Sequence, residues 1–278
     1  MAQDKTGRSQ SRGPERIDVV LPAGGRISGA FAQAAGAEIK ALIRIGEQTI
    51  LRRTIEVFRA TGRVGRIIVV GPEAALKEAR AAGADGTLPE GDTGPENFFR
   101  GLAWLREQSG GPAARVTIAA TDLPFLTPEA IHHYWDSCPA QVDIAVPVLA
   151  KAAFEARFPG SENLYVPLRE GEITIGCVFQ VNPDVLMRNR PHIERVFHAR
   201  KSQFQMARLV GWRVALGLAT KRLTIRAIEE RCGQILGCRG AGVPDCAPEL
   251  GFDIDQPQEF HYVRQQREGP KVPAEAAR

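Results

Sequence analysis

Short β-branched runs alternate with stretches of helical spacing from residue 17 onward, and this alternation constrains the fold more than any other feature of the sequence. IDVVL and RIIVVG have the composition of buried strands, whereas QTILRRTIEVFRATG and PENFFRGLAWLREQ have the apolar spacing of helices. The repeated order of strand and helix predicts an α/β fold, with a mostly parallel central sheet and helices on both faces. Ligands bind such sheets beyond the carboxyl ends of the strands, so the loops that follow strands are the candidate sites.

The loop after the first strand, AGGRISGAFAQAAGAEIK, is long and rich in small residues. It lacks GxGxxG and GxxxxGK[ST], and no helix pattern begins at its end, which argues against a dinucleotide fingerprint or a P-loop. Gly24 and Gly25 allow backbone N–H groups to approach phosphate oxygens closely, and the basic residues Arg26 and Lys40 bracket the loop. A surface loop whose glycines serve only to turn the chain is the alternative.

Two later segments also place carboxylates at the ends of strands. TDLPFLTPEAI has Asp122 after a strand and Thr127 as the predicted cap of a helix, and DIDQPQEF has Asp253 and Asp255 before another helix. A pair of carboxylates with open coordination positions suits Mg²⁺. Taken singly, each aspartate fits a helix cap or a turn equally well.

Composition excludes several classes of protein. A net charge of +4 suits a polyanionic small substrate and is too weak to indicate a nucleic-acid partner. No apolar stretch reaches the roughly 18 residues of a membrane span, and no signal peptide is present, so we expect a cytoplasmic protein with reduced cysteines rather than a zinc site. We expect one domain over residues 17–262 between disordered tails at 1–16 and 263–278.

The segments LPAGGR…KAL, TDLPFLTPEAI and DIDQPQEF resemble, in order and spacing, the three signatures of the MobA-like nucleotidyltransferases. That family includes molybdenum cofactor guanylyltransferase and sugar-phosphate nucleotidyltransferases. The similarity spans roughly residues 17 to 262, although an acceptor-side insertion at about 140–245 contributes little of it. The resemblance implies a GT-A-like (Rossmann-like) sheet, an NTP over the glycine loop, Mg²⁺, and transfer of NMP to a phosphorylated acceptor such as a pterin phosphate or a sugar phosphate, with release of pyrophosphate.

The resemblance also implies roles for individual residues. The implied nucleotide-binding residues are Pro22, Ala23, Gly24, Gly25, Arg26, Lys40, Asn97 and Asp122. Lys40 would neutralise charge on the α phosphoryl group and Asp122 would be catalytic with it, because phosphoryl transfer depends chiefly on positioning and electrostatic stabilisation. Asp122 and Asp255 would hold Mg²⁺, with Asp253 as a further carboxylate.

The part of the sequence that would contact the base is EGDTGPENFFRGL. It nominates Asn97, and secondarily Thr93, for hydrogen bonds to the base; a polar residue in the first turn of a helix is the alternative for Asn97. The five common bases stay open, with GTP among the candidates. The sequence departs from the better-known members after the glycines, where an arginine followed by Met-Gly is usual and only Arg26 is present.

Basic and apolar residues mix in the segment from 192 to 226. A solvated basic face over a buried helix stripe is the favoured interpretation, and contact through 195–226 with an anionic membrane surface or an anionic acceptor is the alternative. The leading hypothesis for the whole chain is a Mg²⁺-dependent nucleotidyltransferase. A GT-A glycosyltransferase that uses a nucleotide sugar and a non-catalytic nucleotide-binding regulatory protein are the other two.

Overall fold

The computed structural model describes residues 16–109, 115–199 and 202–268. Apart from Arg16, the tail expected at 1–16 lies outside these residues, as does the part of the other tail from 269 to 278. Within the described residues no helix is both long enough and apolar enough to cross a membrane.

The described residues form eleven strands. They are β1 (Ile17–Pro22), β2 (Arg44–Ile45), β3 (Gln48–Thr49), β4 (Val64–Gly71), β5 (Gly86–Pro89), β6 (Val116–Ala119), β7 (Ile144–Ala150), β8 (Val166–Leu168), β9 (Gly171–Ile175), β10 (Val178–Val181) and β11 (Gly240–Val243).

Twelve α-helices and two short 3₁₀ turns, Lys40–Leu42 and Pro248–Leu250, accompany the strands in the same described ranges. The helices are α1 (Gly29–Ala35), α2 (Ile50–Ala60), α3 (Glu73–Ala81), α4 (Gly94–Ser109), α5 (Pro128–Ser137), α6 (Lys151–Arg157), α7 (Pro183–Arg188), α8 (Arg190–Ala199), α9 (Gln203–Val210), α10 (Trp212–Ala219), α11 (Ile225–Leu236) and α12 (Pro257–Glu268).

The central sheet has nine strands in the order β5-β4-β1-β6-β10-β7-β9-β8, with β11 paired to β7. Neighbouring strands run parallel from β5 through β4 and β1 to β6, and β11 is parallel to β7. Strands β9 and β10 run antiparallel to β7. The predicted α/β architecture with a mostly parallel core is confirmed.

Alternation along the strands explains why helices cover both faces. Successive side chains of a strand point to opposite faces of the sheet. In β1, Val19 and Leu21 belong to a large core with the apolar side chains of α2, α3 and α5, whereas Val20 faces a smaller core with Phe99 and Leu102 of α4. Strands β1, β4 and β6 are therefore largely buried on both sides, which fixes their direction and the position of the loops after them.

A bulge separates β9 from β10. Val148 pairs with Ile175 and Ala145 with Gln180, so the β9–β10 side carries two more residues than β7 across the same interval. Gly176 lies within the bulge, where an added Cβ would be only 2.8 Å from the carbonyl oxygen of Leu250. The close backbone approach requires glycine there and brings the following residue, Cys177, to the carboxyl edge of the parallel strands.

Three expectations about element bounds need correction. The glycine loop contains a helix, α1, which begins after Ser28 and ends at Gly36 in the left-handed conformation; its apolar side chains are mostly alanines, so it has little periodic signal. The expected loop LPEGDTG begins inside β5, which runs to Pro89. Finally, α12 continues past 262 to Glu268, with Val263 fully buried.

The favoured interpretation of the basic segment is also wrong for α10. No side chain of this helix is buried, and Trp212 is 71% exposed. The helix has no apolar stripe against the core because its inner contact is Gly217, whose α carbon faces Leu223.

Candidate functional site

Backbone hydrogen bonds bring four distant segments together at the carboxyl ends of the parallel strands. The Lys40 N–H donates to the Gly25 carbonyl at 3.0 Å, which fixes the start of the 3₁₀ turn beside the glycine loop. The Ile254 N–H donates to the Asp122 carbonyl at 3.1 Å, which joins the loop after β6 to the segment before α12. The side chains of Lys40, Asp122 and Asp255 consequently meet at one edge of the sheet.

Three carboxylates cluster there. Asp122, Asp253 and Asp255 each have a carboxylate oxygen within 4.8 Å of the others. The Lys40 ammonium lies 3.5 Å from Asp122 Oδ2 and donates a hydrogen bond to Asp255 Oδ1. Asp122 is nearly buried and Asp255 is more than half exposed, so the cluster opens toward solvent on the Asp255 side. The sequence singled out all four residues, and the structure brings them into contact.

Burial and repulsion raise the pKa values of two of these carboxyls. Desolvation raises the pKa of Asp122, against the opposing attraction of Lys40 and with added repulsion from Asp255. Burial, followed by repulsion from Asp122 and Asp255, raises the pKa of Asp253 to about 7. Burial by itself lowers the pKa of Lys40, but the three aspartates outweigh it and raise the pKa. One ammonium does not balance three carboxylates, which makes the cluster a fit for a divalent cation.

An aromatic cluster behind the carboxylates holds their loops in place, and sequence reasoning missed it. Phe125 and Phe252 lie close to Asp122 and Asp253 in the chain, and their ring centroids are 4.9 Å apart in an edge-on contact. Phe158 packs against both rings at 4.9 Å and 4.7 Å. Aromatic pairs of this kind contribute roughly 0.5–1.5 kcal/mol beyond the buried area. The signal in the sequence was the phenylalanine next to each aspartate motif.

The end of β1 anchors the glycine loop. The Ala23 N–H donates to the Val70 carbonyl at 2.7 Å, and the buried Thr121 hydroxyl donates to the Pro22 carbonyl at 3.1 Å. Pro22 and Ala23 therefore fix the strand exit relative to β4 and to the Asp122 loop. Antiparallel pairing of Arg26 with Ile39 then closes the loop around α1.

Glu90, which the sequence did not single out, lies against the glycine loop. The Arg26 guanidinium donates to the Glu90 carboxylate and, at 2.8 Å, to the Gly24 carbonyl. A Cβ added to Gly24 would lie 2.6 Å from Glu90 Oε2 and 2.9 Å from Asn97 Nδ2. Gly24 thus sits in a narrow space between β1 and the loop before α4, and Arg26 is turned toward that loop. An acidic residue directly after a strand was the missed signal.

Asn97 and Thr93 both have structural partners. Asn97 is 5% exposed, and its Oδ1 accepts a hydrogen bond from the Gly91 N–H at 2.7 Å. Thr93 Oγ1 accepts from the Glu96 N–H at 3.2 Å, and Glu96 in turn accepts from the Asp92 N–H at 2.9 Å, which forms a capping box at the start of α4. Asn97 keeps its Nδ2 group directed at Gly24, whereas Thr93 is a helix cap.

A cavity of about 790 Å³ opens on the other side of the carboxylates. Asp253 and Asp255 form part of its wall, and α6, the β8–β9 hairpin and the loop before β8 form the rest. Lys151 lies in this wall with its ammonium 5.3 Å from the centroid of the Tyr165 ring. Asp255 therefore borders both this cavity and Lys40, and no residue of the glycine loop lines the cavity.

Comparison with known proteins agrees with this geometry. The family model for the MobA-like NTP transferase domain matches residues 19–159. A hypothetical transferase from Thermus thermophilus has 30% sequence identity and a TM-score of 0.77, covering 88% of this chain and 99% of its own. No curated protein matches the sequence.

Two more distant structures share the fold. The 4-diphosphocytidyl-2C-methyl-D-erythritol synthase from Anaerococcus prevotii is 11% identical, with a TM-score of 0.56 over 92% of this chain and 97% of that one. A nucleotidyl transferase from Methanothermobacter is 18% identical, with a TM-score of 0.53 over 91% and 98% of the two chains. The central sheet is thus of the GT-A-like type. The chain belongs to the MobA-like NTP transferase domain family and is a nucleotidyltransferase.

Proposed function

We propose that the chain transfers NMP from an NTP to a phosphorylated small-molecule acceptor and releases pyrophosphate, with Mg²⁺ as its metal. The domain that does this spans residues 17–268. The observation that carries the proposal is the contact of Lys40 with Asp122 and Asp255 beside the glycine loop. Cationic and carboxylate groups at one strand edge supply the charge that phosphoryl transfer requires.

The nucleotide binds on the glycine-loop side. Gly24 and Gly25 let the backbone approach the phosphates, and Lys40 stabilises the charge that develops on the α phosphoryl group. Arg26 contacts the β and γ phosphates when its ion pair with Glu90 is replaced by one with phosphate oxygens. Asn97 offers its Nδ2 group for a hydrogen bond to the base, because its Oδ1 already accepts from the Gly91 N–H.

Asp122, Asp253 and Asp255 hold the metal. Carboxylate oxygens are the ligands that Mg²⁺ prefers, and their surplus negative charge fits a hard dication. Bound there, Mg²⁺ would supply positive charge against the phosphates of the nucleotide. The carboxylates of Asp122 and Asp255 hold Lys40 beside the glycine loop. A divalent cation bound to the aspartates would balance their charge, so that the Lys40 ammonium could then contact a phosphate.

The reaction is a direct displacement. An oxygen of the acceptor phosphate bonds to the α phosphorus as the bond from that phosphorus to the β-bridging oxygen breaks, and the electron pair leaves with pyrophosphate. The acceptor enters from the cavity beside Asp253 and Asp255, opposite the glycine loop. Lys151 in its wall supplies a cation for the acceptor's phosphate.

The test measures pyrophosphate released by each NTP with a panel of pterin, sugar and lipid-linked phosphates, with Mg²⁺ or EDTA. We expect Mg²⁺-dependent pyrophosphate from one pair of substrates, and loss of it in Asp122→Asn but not in Asp136→Asn. Asp136, on α5, is the control because it is an exposed carboxylate that pairs with a basic residue, Arg63, outside the candidate site. Release of a nucleoside diphosphate from a nucleotide sugar instead would contradict the proposal and indicate glycosyl transfer.

A further inference from the structure

The exposed large apolar side chains of the described residues all lie in one region of the fold. None belongs to the glycine-loop half of the sheet. The set, called here the apolar surface, consists of Leu164, Val166, Ile175, Trp212, Leu216 and Leu218. Leu164 is 89% exposed and Trp212 is 71% exposed, which is unusual for side chains that gain free energy from burial.

The apolar surface lies on adjoining elements. Its first three members lie on the β8–β9 hairpin and the loop before it, and the other three lie on α10, which contacts β8. Trp212 and Leu216 are four residues apart and share one side of the helix. Leu223 lies on the inner side of α10, where it contacts Gly217.

The charge near α10 is mostly positive, although the exposed Glu155 and Glu162 line the adjoining cavity and Arg226 pairs with Glu230. Residues 195–228 contain eight Lys and Arg and no Asp or Glu. Six of the eight are described, and all six are exposed: Arg195, Arg208, Arg213, Lys221, Arg222 and Arg226. The two acidic residues of the hairpin turn have partners, since Glu172 pairs with Lys151 at 3.0 Å and Glu170 accepts from the Ile225 N–H at 3.3 Å.

We propose that the apolar surface docks on an anionic lipid bilayer. Exposed Trp and Leu side chains bordered by Lys and Arg are the combination that binds at the boundary of acyl chains and anionic headgroups. A second copy of the chain fits less well, because a symmetric interface would bring the same basic residues against each other. The terminal segments 1–15 and 269–278 each carry a small net positive charge, so neither is an acidic partner for the basic residues.

Docking would place the acceptor cavity against the bilayer. Leu164 and Ile175 belong both to the apolar surface and to the wall of the cavity that contains Asp253 and Asp255. Resting on the proposed function, this arrangement suits an acceptor whose phosphate lies in the headgroup layer. The glycine loop is on the other side of the carboxylates, so the NTP would enter from water.

Binding to vesicles tests the proposal without nucleotide or metal. The probes are vesicles of phosphatidylcholine alone and of phosphatidylcholine with phosphatidylglycerol. Sedimentation measures partition, and tryptophan emission reports Trp212, because Trp135 is buried and Trp104 is partly buried. We expect binding to the anionic vesicles only, weakened at high salt, with a blue shift of the emission. Since each Lys or Arg near such a bilayer contributes about a fivefold gain in partition, reversing two charges should cost at least tenfold.

Two variants and a matched control decide the outcome. Trp212→Ser with Leu216→Ser, and Arg213→Glu with Arg222→Glu, should each lose binding while keeping the melting temperature and the turnover of a water-soluble acceptor. The control, Lys77→Glu with Arg106→Glu, makes the same charge change at exposed sites on α3 and α4 and should bind as the wild type does.

Three results would overturn the proposal. These are absence of binding to anionic vesicles, equal loss in the control, and a dimer in solution that dissociates in the Trp212 variant. If vesicles bind but no NTP is consumed, the proposed function fails while the docking surface stands.

Discussion

The two halves of the sheet differ in how they are built and in what they expose. The half from β1 to β6 contains the parallel neighbours β5, β4, β1 and β6, and none of its described large apolar side chains is exposed. The half from β7 to β11 contains the antiparallel strands and all the exposed large apolar side chains of the described residues. The first half carries two of the three signature segments, whereas the third, DIDQPQEF, follows β11 and lines the 790 Å³ cavity. The second half also carries the apolar surface. The proposed function assigns the nucleotide phosphates to the glycine loop of the first half and the acceptor to the cavity of the second, with Asp122, Asp253 and Asp255 between them.

Removing the buried carboxylate between the halves should have the largest effect. In Asp122→Asn we expect turnover to fall about a thousandfold or more, because the change removes a charged metal ligand at the reacting phosphate. The fold should survive, since an amide relieves repulsion among three clustered carboxylates. Pyrophosphate release and thermal melting measure the two effects. Unchanged turnover would show that Asp122 has a structural role and does not take part in the reaction.

Lys40→Met should separate catalysis from stability. Turnover should fall about a hundredfold, the scale of losing one stabilising charge in the transition state. Without metal the variant should lose about 2 kcal/mol of folding stability, less than a fully buried pair because Asp255 is half exposed. Mg²⁺ should restore more stability to the variant than to the wild type, as measured by melting with and without the ion. Equal metal responses would mean that Lys40 and the metal do not share the carboxylates.

Gly24→Ala should act on the nucleotide alone. Its Cβ would lie 2.6 Å from Glu90 Oε2, so the loop must shift or Glu90 must turn away. We expect KM for the NTP to rise about tenfold with KM for the acceptor unchanged, since the cost falls within the 1–3 kcal/mol of overpacking. Gly240→Ala is the control in the other half, because its Cβ would meet nothing closer than 3.9 Å. An equal rise in both KM values would contradict the assignment of the nucleotide to the glycine loop and the acceptor to the cavity.

Lys151→Ala is the converse change and should have the smallest effect. Lys151 is a partly exposed cation in the proposed acceptor cavity that already pairs with Glu172. Its loss should raise KM for the acceptor severalfold, in the range of about 0.5–1 kcal/mol for exposed charge pairs, and leave KM for the NTP unchanged. Steady-state kinetics with each substrate varied in turn gives both values. A rise in KM for the NTP alone would indicate that the nucleotide, and not the acceptor, binds in the cavity.

Local patterns were sufficient for the first half of the fold. The β-branched runs of β1 and β4 and the apolar spacing of α2 and α4 determine these elements, because burial on both faces leaves little choice of register. Helix α1 was missed since its alanines give no stripe. In the second half, the position of Cys177 and the exposure of α10 depend on contacts between distant segments, which a pattern along the chain does not contain.

The candidate site was predictable in its parts but not in its arrangement. Lys40 and Asp122 were visible because each follows a glycine loop or a strand, where parallel sheets bind ligands. Asp255 was visible as a carboxylate before a helix, but the strand expected ahead of it is wrong, since a 3₁₀ turn and irregular chain precede it. The contact of Lys40 with Asp255 joins residues 215 positions apart, and the three aromatic rings that hold the aspartate loops come from three separate segments of the chain. Glu90 was not singled out, because only the folded chain brings it to Arg26 and Gly24.

Calorimetric titration of GTP, CTP, UTP, dTTP and ATP tests the central claim most directly, with and without Mg²⁺, on the wild type and on Asp122→Asn. The site described here predicts that one nucleotide binds best, that it needs the metal, and that the variant loses at least tenfold in affinity. Binding of no nucleotide, or binding that ignores both the metal and the variant, would contradict the assignment of Lys40 and the three aspartates to a nucleotide and metal site.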